Sequence, residues 1–256
     1  MQILTIANQK GGVAKTTTAF ALGVGLSKRG NTVLLLDLDP QTNLTFTAGI
    51  DFSEGTKTIY DVFKGENINA AIQSVSDNLD IIAGSIYLAA ADRQFIGAKS
   101  FYMVRDAIKK INKIYNYVII DTPPTLGVMT QNALTASDRV IIPLKPDVYA
   151  LQGIGQLNAF IDEQKNYTNP NLQIAGCLVT CANERTTLAK TMIEEFEKTA
   201  AELGTKVYKS KIRNAVSVAE SALQQTNIFS YAPAATATKD YDAFIDELLE
   251  DLGKGD

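Results

Sequence analysis

A glycine-rich stretch near the N-terminus combines two lysines with a run of threonines. The stretch reads Asn8-Gln9-Lys10-Gly11-Gly12-Val13-Ala14-Lys15-Thr16-Thr17-Thr18. It lies between the apolar run from Ile3 to Ala7 and a stretch from Ala19 to Lys28 that is compatible with a helix. Glycines at a strand-to-helix turn let backbone N–H groups surround anionic oxygens, and the helix N-terminus adds positive potential. Since a lysine and a hydroxyl can contact the terminal phosphates and a magnesium ion, the stretch predicts a phosphate-binding loop.

Carboxylates end two further apolar runs. The run from Val33 to Leu36 is followed by Asp37-Leu38-Asp39-Pro40-Gln41, and the run from Tyr117 to Ile120 is followed by Asp121-Thr122-Pro123-Pro124. Alternation along a strand places Asp37 and Asp39 on the same side. An apolar strand that ends in aspartate is also how a Walker B strand delivers a carboxylate to magnesium. We therefore expect these acids to lie beside the phosphate loop.

The chain contains no histidine and two cysteines, Cys177 and Cys181. Nucleophilic catalysis by Ser/His or Cys/His is therefore excluded. Two thiolates without histidine cannot complete a four-ligand zinc site within one subunit. We expect both cysteines to be buried free thiols, and any chemistry to rest on carboxylates, lysines and a metal.

Apolar runs of strand length alternate with stretches compatible with helices. The predicted strands cover 3–7, 32–36, 79–83, 117–120, 139–143, 173–180 and 206–208, and the predicted helices cover 17–28, 58–63, 69–72, 101–114, 153–165, 188–202 and 238–252. Nearly continuous apolar runs are typical of strands that are covered on both faces of a parallel sheet. The sequence therefore predicts a doubly wound α/β fold, mainly parallel and flanked by helices, as a single domain over residues 1–256.

Composition narrows the possible partners. A formal charge of −4 and a pI near 5.0 argue against a globally basic nucleic-acid binder but allow a local basic patch. Lys206, Lys209, Lys211 and Arg213 form such a run, which fits a solvated strand edge as well as a contact to a phosphate backbone. No run reaches the roughly 18 apolar residues of a membrane span, and no leader precedes the first strand, so we expect a cytosolic protein.

The amphipathic C-terminal stretch carries acids on its polar face. A helix that lies on an anionic membrane surface needs lysine and arginine there. We therefore expect the stretch to pack on the sheet through an apolar face. The residues of that face are Phe244, Ile245, Leu248, Leu249 and Leu252.

Together these motifs resemble one known family. The pattern K-G-G-x-x-K-T over residues 10–16 resembles the deviant Walker A loop of the ParA/MinD ATPases, which are P-loop NTPases. The sequences at 37–41, 121–124 and 141–153 resemble further ordered motifs of the same family, so the likeness covers at least residues 1–155. A later segment, 212–220, is also similar, but alignment on Glu220 puts Arg213 where the family has proline.

The resemblance implies a magnesium-dependent ATPase and a role for each matching residue. Catalytic roles fall to Lys10, Lys15 and Asp39, with Asp39 orienting the attacking water and Lys10 reaching the phosphates of a partner subunit. Magnesium would be held by Thr16 and Asp121, with Asp37 near its shell. Nucleotide contacts are implied for Lys10, Gly11, Gly12, Val13, Ala14, Lys15, Thr16, Thr17 and, at the adenine, Asn183.

Within that family the sequence is most similar to ParA/Soj-type partition ATPases. The resemblance implies an ATP-dependent homodimer that binds DNA non-specifically, is nucleoid-associated when ATP-bound, and is released when a centromere-binding ParB-type partner stimulates hydrolysis. Lys206, Lys209, Lys211 and Arg213 would be the DNA contacts. Two alternatives of the same fold remain: an ATP-driven metal-cluster or cofactor-assembly protein, and a MinD-like membrane-positioning ATPase.

Overall fold

A computed structural model describes residues 1–51 and 55–253. Its eight strands form one sheet in the order β3-β4-β2-β5-β1-β6-β7-β8. The strands are β1 Gln2–Ile6, β2 Val33–Asp37, β3 Ile72–Ser76, β4 Leu79–Ile82, β5 Tyr117–Asp121, β6 Arg139–Leu144, β7 Gln173–Ala182 and β8 Val207–Arg213. All the neighbouring pairs are parallel except β3 and β4, so the predicted mainly parallel sheet is confirmed.

Helices cover both faces of the sheet. They are α1 Lys15–Lys28, α2 Asn43–Thr47, α3 Ile59–Phe63, α4 Ala91–Gln94, α5 Met103–Ile108, α6 Val128–Ala136, α7 Ala150–Tyr167, α8 Thr187–Glu202, α9 Val216–Leu223, α10 Ile228–Tyr231 and α11 Thr236–Gly253. Side chains alternate along each strand between the two covered faces. Leu35 packs in a cluster with Phe20 and Ile245, whereas Leu34 on the other face packs with Val104 and Met129.

Several local predictions differ from the structure. The predicted helix over 69–72 is a 3-10 turn at Ile68–Ala70 followed by β3, and the predicted helix over 101–114 ends at Ile108. The strand predicted over 206–208 continues to Arg213. The sequence did not predict β3 or the helices α2, α4, α6, α9 and α10. β3 is an edge strand with alternating, partly exposed residues. Such a strand lacks the continuous apolar run that marks the buried strands.

The C-terminal helix α11 packs against the sheet, as predicted. Phe244, Ile245, Leu248 and Leu252 are buried in the core, and Leu249 is partly buried against it. On the outer side, Arg29 at the end of α1 forms ion pairs with Asp242 (2.7 Å) and Asp246 (2.6 Å). Helix α11 is therefore attached both to the sheet and to the helix that follows the phosphate loop. No helix in the described ranges is long and apolar enough to cross a bilayer.

Candidate active site

The candidate site lies where the central strands β1, β2 and β5 end. Ile6 of β1 and Asp37 of β2 both pair in register with Asp121 of β5. The chain leaves β1 directly into the glycine-rich loop, so the loop and both carboxylates meet at one edge of the sheet. The carboxyl edge of an open α/β sheet is where ligands of this fold bind.

The glycine-rich loop forms an open cradle of backbone amides. Gly12 (φ 72°) and Ala14 (φ 61°) both adopt the left-handed conformation. A Cβ added to Gly11 or Gly12 would meet no atom of the described chain within 4 Å. Ala14 precedes the first residue of α1, and no side chain among the described residues caps the helix there. The first N–H groups of α1 therefore face the cradle without a side-chain partner, as anion binding requires.

Neighbouring strands hold this loop in place. The side-chain amide of Asn8 donates to the Pro143 carbonyl of β6 (2.8 Å), and its oxygen accepts from the backbone N–H of Lys10 (2.9 Å). The Thr180 hydroxyl of β7 donates to the carbonyl of Val13 (3.0 Å). The loop conformation is thus fixed from the side opposite to Asp121.

Lys15 is a buried cation at the start of α1. It is 7% exposed, and its ammonium donates to the carbonyl of Lys10 (3.2 Å). Burial lowers the pKa of Lys15, while the nearby charges of Asp121 and Asp39 oppose the shift. Since an ammonium has three donors, Lys15 keeps donor capacity for an anionic ligand in the cradle.

Thr16 and Asp121 form a pair suited to a magnesium ion. The Thr16 hydroxyl donates to Oδ2 of Asp121 (2.6 Å), whereas the buried Oδ1 has no hydrogen-bond partner within the described chain. Burial, followed by the charge of Asp37, raises the pKa of Asp121, and Thr16 and Lys15 oppose the shift. Magnesium commonly binds one or two protein oxygens together with substrate phosphates and water. A hydroxyl and a carboxylate with a free oxygen fit that pattern.

Asp37 has different surroundings from Asp121, although both carboxylates are fully buried. Its Oδ1 accepts from the backbone N–H of Asp39 (3.1 Å), and its Oδ2 accepts from the N–H (3.0 Å) and the hydroxyl (2.7 Å) of Thr45. Burial raises the pKa of Asp37 to about 6 despite these hydrogen bonds. Both oxygens of Asp37 are therefore hydrogen-bonded within the protein, whereas Oδ1 of Asp121 is not.

Asp39 borders open space next to this site. It is 6% exposed, and its Oδ1 accepts from the N–H of Gln41 (2.9 Å). Together with Pro123 and Thr125 it lines a cavity of about 310 Å³. The carboxylate is close enough to Asp121 for its charge to raise the pKa of Asp121, and it also borders a space that can hold a water molecule.

Lys10 contacts Asp147, a residue that the sequence analysis did not identify. Its ammonium forms an ion pair with Asp147, which lies in the loop before α7, and stands 5.9 Å from the ring centroid of Tyr149. Asp147 is 137 residues away from Lys10 in the sequence, so no local sequence pattern predicts the contact. Lys10 is thus held within its own subunit in this structure.

Asn183, the residue predicted to contact the adenine, lies beside the end of β8. Asn183 is exposed in the turn before α8, where its backbone and side-chain oxygens accept from Thr186 and Arg185. Ala182 pairs in register with Arg213, and the N–H of Asn214 donates to the Ala182 carbonyl (3.3 Å). The turn after β7 and the turn after β8 therefore form a common edge.

The predicted DNA contacts lie on or just before β8, and acids neutralise most of them. Lys206 pairs with Asp251, Lys211 with Glu184 (3.1 Å), and Arg213 with Asp240 (2.5 Å). Asp240 and Asp251 come from α11, so the acids missing from the local sequence are supplied by the fold. The remaining residue, Lys209, is exposed, and its ammonium forms no ion pair with the described residues.

The cysteines are free thiols on β7. Cys177 is buried, and burial raises its pKa to about 12; Cys181 is only partly buried, which differs from the prediction. Across residues 1–51 and 55–253, no group of three or more His, Cys, Asp or Glu side chains is arranged to hold a metal ion.

Comparison with known proteins places this geometry in context. A family model described as an AAA domain matches residues 1–174. The chain is 37% identical to the sporulation initiation inhibitor protein Soj of Bacillus subtilis, over 94% of this chain and 95% of that protein. It is 39% identical to the chromosome partitioning protein ParA of Caulobacter vibrioides, over 86% of this chain and 84% of that protein.

A solved structure extends the comparison to the fold. The cobyrinic acid a,c-diamide synthase of Mycobacterium smegmatis, crystallised with ADP and magnesium, superimposes with a TM-score of 0.85 at 31% identity. The match covers 100% of this chain and 97% of that one.

A parallel sheet whose central strand runs through a glycine-rich loop into a helix defines a P-loop nucleotide-binding protein. Within that class, the length and level of the sequence match are decisive. The chain belongs to the ParA/Soj family of partition ATPases.

Proposed function

We propose that this protein is a partition ATPase that hydrolyses ATP in the presence of magnesium, dimerises around ATP and binds DNA non-specifically. A centromere-binding ParB-type partner would stimulate hydrolysis and release the protein from DNA. The proposed location is the cytoplasm, on the nucleoid when ATP is bound. The name of the ParA relative, a chromosome partitioning protein, supports the partition role. The observation that carries the ATPase part is the Thr16–Asp121 pair with its free carboxylate oxygen beside the amide cradle.

The residues of the site divide the work of phosphoryl transfer. That reaction depends mainly on positioning and on neutralising charge. Backbone amides from Gly11 to Thr16 and the Lys15 ammonium would bind the β- and γ-phosphates. Thr16 and Asp121 would hold magnesium, which when bound supplies further positive charge to those phosphates. The Asp39 carboxylate would orient the attacking water from the adjoining cavity.

Lys10 provides the link between ATP and dimerisation. In the proposed dimer its ammonium leaves Asp147 and contacts the phosphates of the partner subunit, so each nucleotide is enclosed by two chains. Because these contacts need the γ-phosphate, the dimer would persist only until hydrolysis. The Lys10 ammonium would thus pair with Asp147 in the monomer and with the phosphates of the partner subunit in the dimer.

The DNA contact is proposed for the β8 edge, with Lys209 as its first residue. Lys209 is the cation of the predicted group that is exposed without a paired acid. Lys206, Lys211 and Arg213 would contribute only by exchanging their carboxylate partners for DNA phosphates. The ion pairs make this surface a weaker phosphate-binding site than the sequence alone indicates.

The experiment is binding of the full chain to a random-sequence DNA duplex with ATP, ADP or no nucleotide across a salt series. We expect retention with ATP alone, and a steep loss as salt rises because phosphate contacts release counterions. The control is Lys15→Ala, which should bind neither ATP nor DNA. Magnesium-dependent ATP hydrolysis without DNA binding under any nucleotide would contradict the partition role and leave the ATPase assignment intact.

A second candidate, ATP-driven cofactor assembly, is favoured by the full-length similarity to the cobyrinic acid a,c-diamide synthase. That role predicts an organic acid substrate that stimulates ATP turnover, whereas the partition role predicts stimulation by DNA and a partner protein. Comparing ATPase rates with each addition separates the two. The membrane-positioning alternative is disfavoured because the apolar face of α11 is buried against the sheet.

A further inference from the structure

The hydrogen bonds of Asp37 close a loop that carries Asp39. One oxygen holds the backbone N–H of Asp39 (3.1 Å), and the other holds the N–H and hydroxyl of Thr45 (3.0 and 2.7 Å). A single fully buried carboxylate therefore anchors both ends of the segment from Asp39 to Thr45.

That segment needs such an anchor. Thr42, which lies within it, has φ 53°, a left-handed conformation that is unfavourable for a residue with a Cβ. Inside the loop, the N–H groups of Gln41 and Thr42 donate to the side chain and the carbonyl of Asp39 (both 2.9 Å). The orientation of Asp39 is therefore set by the loop, and the loop conformation is set by its ends.

Thr45 connects this loop to a third segment. Its hydroxyl donates to Asp37 and accepts from the N–H of Gly84 (2.9 Å), just beyond β4. A Cβ on Gly84 would lie 2.9 Å from Cγ of Asp37, so a side chain there would displace the carboxylate. The buried hydroxyl of Thr45 thus uses its donor and one acceptor position to join the ends of β2 and β4 to the start of α2.

We propose that Asp37 and Thr45 are a positioning pair that fixes Asp39 for its role in hydrolysis, and that Asp37 does not ligate magnesium. The pair acts through the loop backbone and touches neither nucleotide nor metal. Loss of the Thr45 hydroxyl would free one end of the loop and let Asp39 move away from the attacking water. This assignment rests on the proposed ATPase function for its catalytic consequence, but not for the structural link itself.

The kinetic test uses Thr45→Val, which keeps the shape and the backbone N–H but removes the hydroxyl. We expect kcat to fall about 10- to 100-fold, the effect of a small misplacement of a reacting group. KM for ATP and the half-saturating magnesium concentration should stay within about twofold, because phosphate and metal binding use other residues. Thr45→Ser should restore kcat. An unchanged kcat in Thr45→Val would overturn the proposal.

A matched control is Thr47→Val. The Thr47 hydroxyl lies in the same helix, α2, but only donates to the carbonyl of Asn43 (2.8 Å) at the surface. Thr47→Val should leave kcat unchanged. An equal loss of kcat in Thr47→Val and Thr45→Val would overturn the specific role of Thr45. In Asp37→Asn we expect a lower kcat with an unaltered magnesium requirement. A rise of about tenfold or more in that requirement would instead identify Asp37 as a metal ligand.

Hydrogen exchange on the nucleotide-free chain separates this proposal from the proposed function. Amides of Asp39, of residues 41–45 and of Gly84 should exchange about tenfold faster in Thr45→Val than in the wild type, while α11 is unaffected. If the wild type lacks ATPase activity, the proposed function fails, and the exchange result still decides whether Thr45 anchors the loop. Equal exchange in the two proteins would overturn the anchoring role.

Discussion

Replacing Asp147 by asparagine should strengthen ATP-driven dimerisation, because Lys10 would no longer be held by a carboxylate of its own subunit. The side chains of Lys10 and Asp147 are 33% and 26% exposed, so solvent still screens their attraction. Such a pair contributes about 0.5–1 kcal/mol. The substitution keeps the size of the side chain and the contact between Lys10 and the Tyr149 ring, and removes only the charge.

The magnitude follows from the number of ion pairs that must open. Each subunit breaks one Lys10–Asp147 pair when it joins the dimer, so the free-energy cost counts twice. At about 0.5–1 kcal/mol per pair, the dimer dissociation constant should fall roughly 5- to 30-fold. The gain should shrink at high salt, since screening already weakens the pair in the wild type.

Sedimentation velocity over a protein dilution series, with a non-hydrolysable ATP analogue and magnesium, measures this constant directly. The matched control is Asp162→Asn, which removes one acidic charge from the surface of α7, where Asp162 lies 3.8 Å from Lys165. It should leave the constant unchanged. An Asp147→Asn dimer as weak as the wild type, or weaker, would refute the view that this ion pair opposes dimerisation.

Three further outcomes are expected. Asp39→Ala should bind ATP normally but hydrolyse it at least about 100-fold more slowly, seen as a long-lived dimer by size-exclusion chromatography; wild-type turnover would remove Asp39 from the mechanism. Asp121→Asn should raise the Tm of the nucleotide-free protein by roughly 2–4 °C. Burial raises the pKa of Asp121 in the folded state, so as the pH rises this carboxyl ionises first in the unfolded chain, which destabilises the folded wild type. The gain in Tm should be larger at about pH 8 than at about pH 5, and MgATP should no longer stabilise the variant. The surface control Asp106→Asn should leave both the Tm and its stabilisation by MgATP unchanged. Lys209→Ala should reduce the salt dependence of DNA binding by about one unit of slope, whereas Lys64→Ala should not.

The sequence predicted the parts of the fold that depend on buried apolar runs. β1, β2, β4, β5, β6 and β7 lie at or near their predicted positions because each forms a nearly continuous apolar stretch. The sequence did not predict β3 because it is an edge strand. Apolar residues such as Ile72 are separated by polar residues such as Ser74, and all five residues of the strand are exposed or partly exposed. The length of β8 was underestimated for a similar reason, since the charged residues Lys209, Lys211 and Arg213 interrupt its apolar pattern.

The candidate site likewise has features that the sequence predicts and features that it does not. Its residue types follow from motifs, because a phosphate loop and strand-end carboxylates are encoded within short segments. Their partners do not, because Asp147 reaches Lys10 and Thr45 reaches Gly84 only after the chain has folded. Ion pairing of the basic run by α11 is likewise a property of tertiary packing, and no local window of sequence contains it.

The central position of β1 has a consequence for protein synthesis. Thr16 of the phosphate loop is translated 105 residues before its partner Asp121, and β6, which supports Asn8, follows later still. A nascent chain therefore carries the glycine-rich loop through at least 105 further residues of translation without the strands that shape it. Nucleotide capture becomes possible only after β5 and β6 have inserted on either side of β1. Nucleotide binding would therefore require that the strands on both sides of β1 have already joined the sheet.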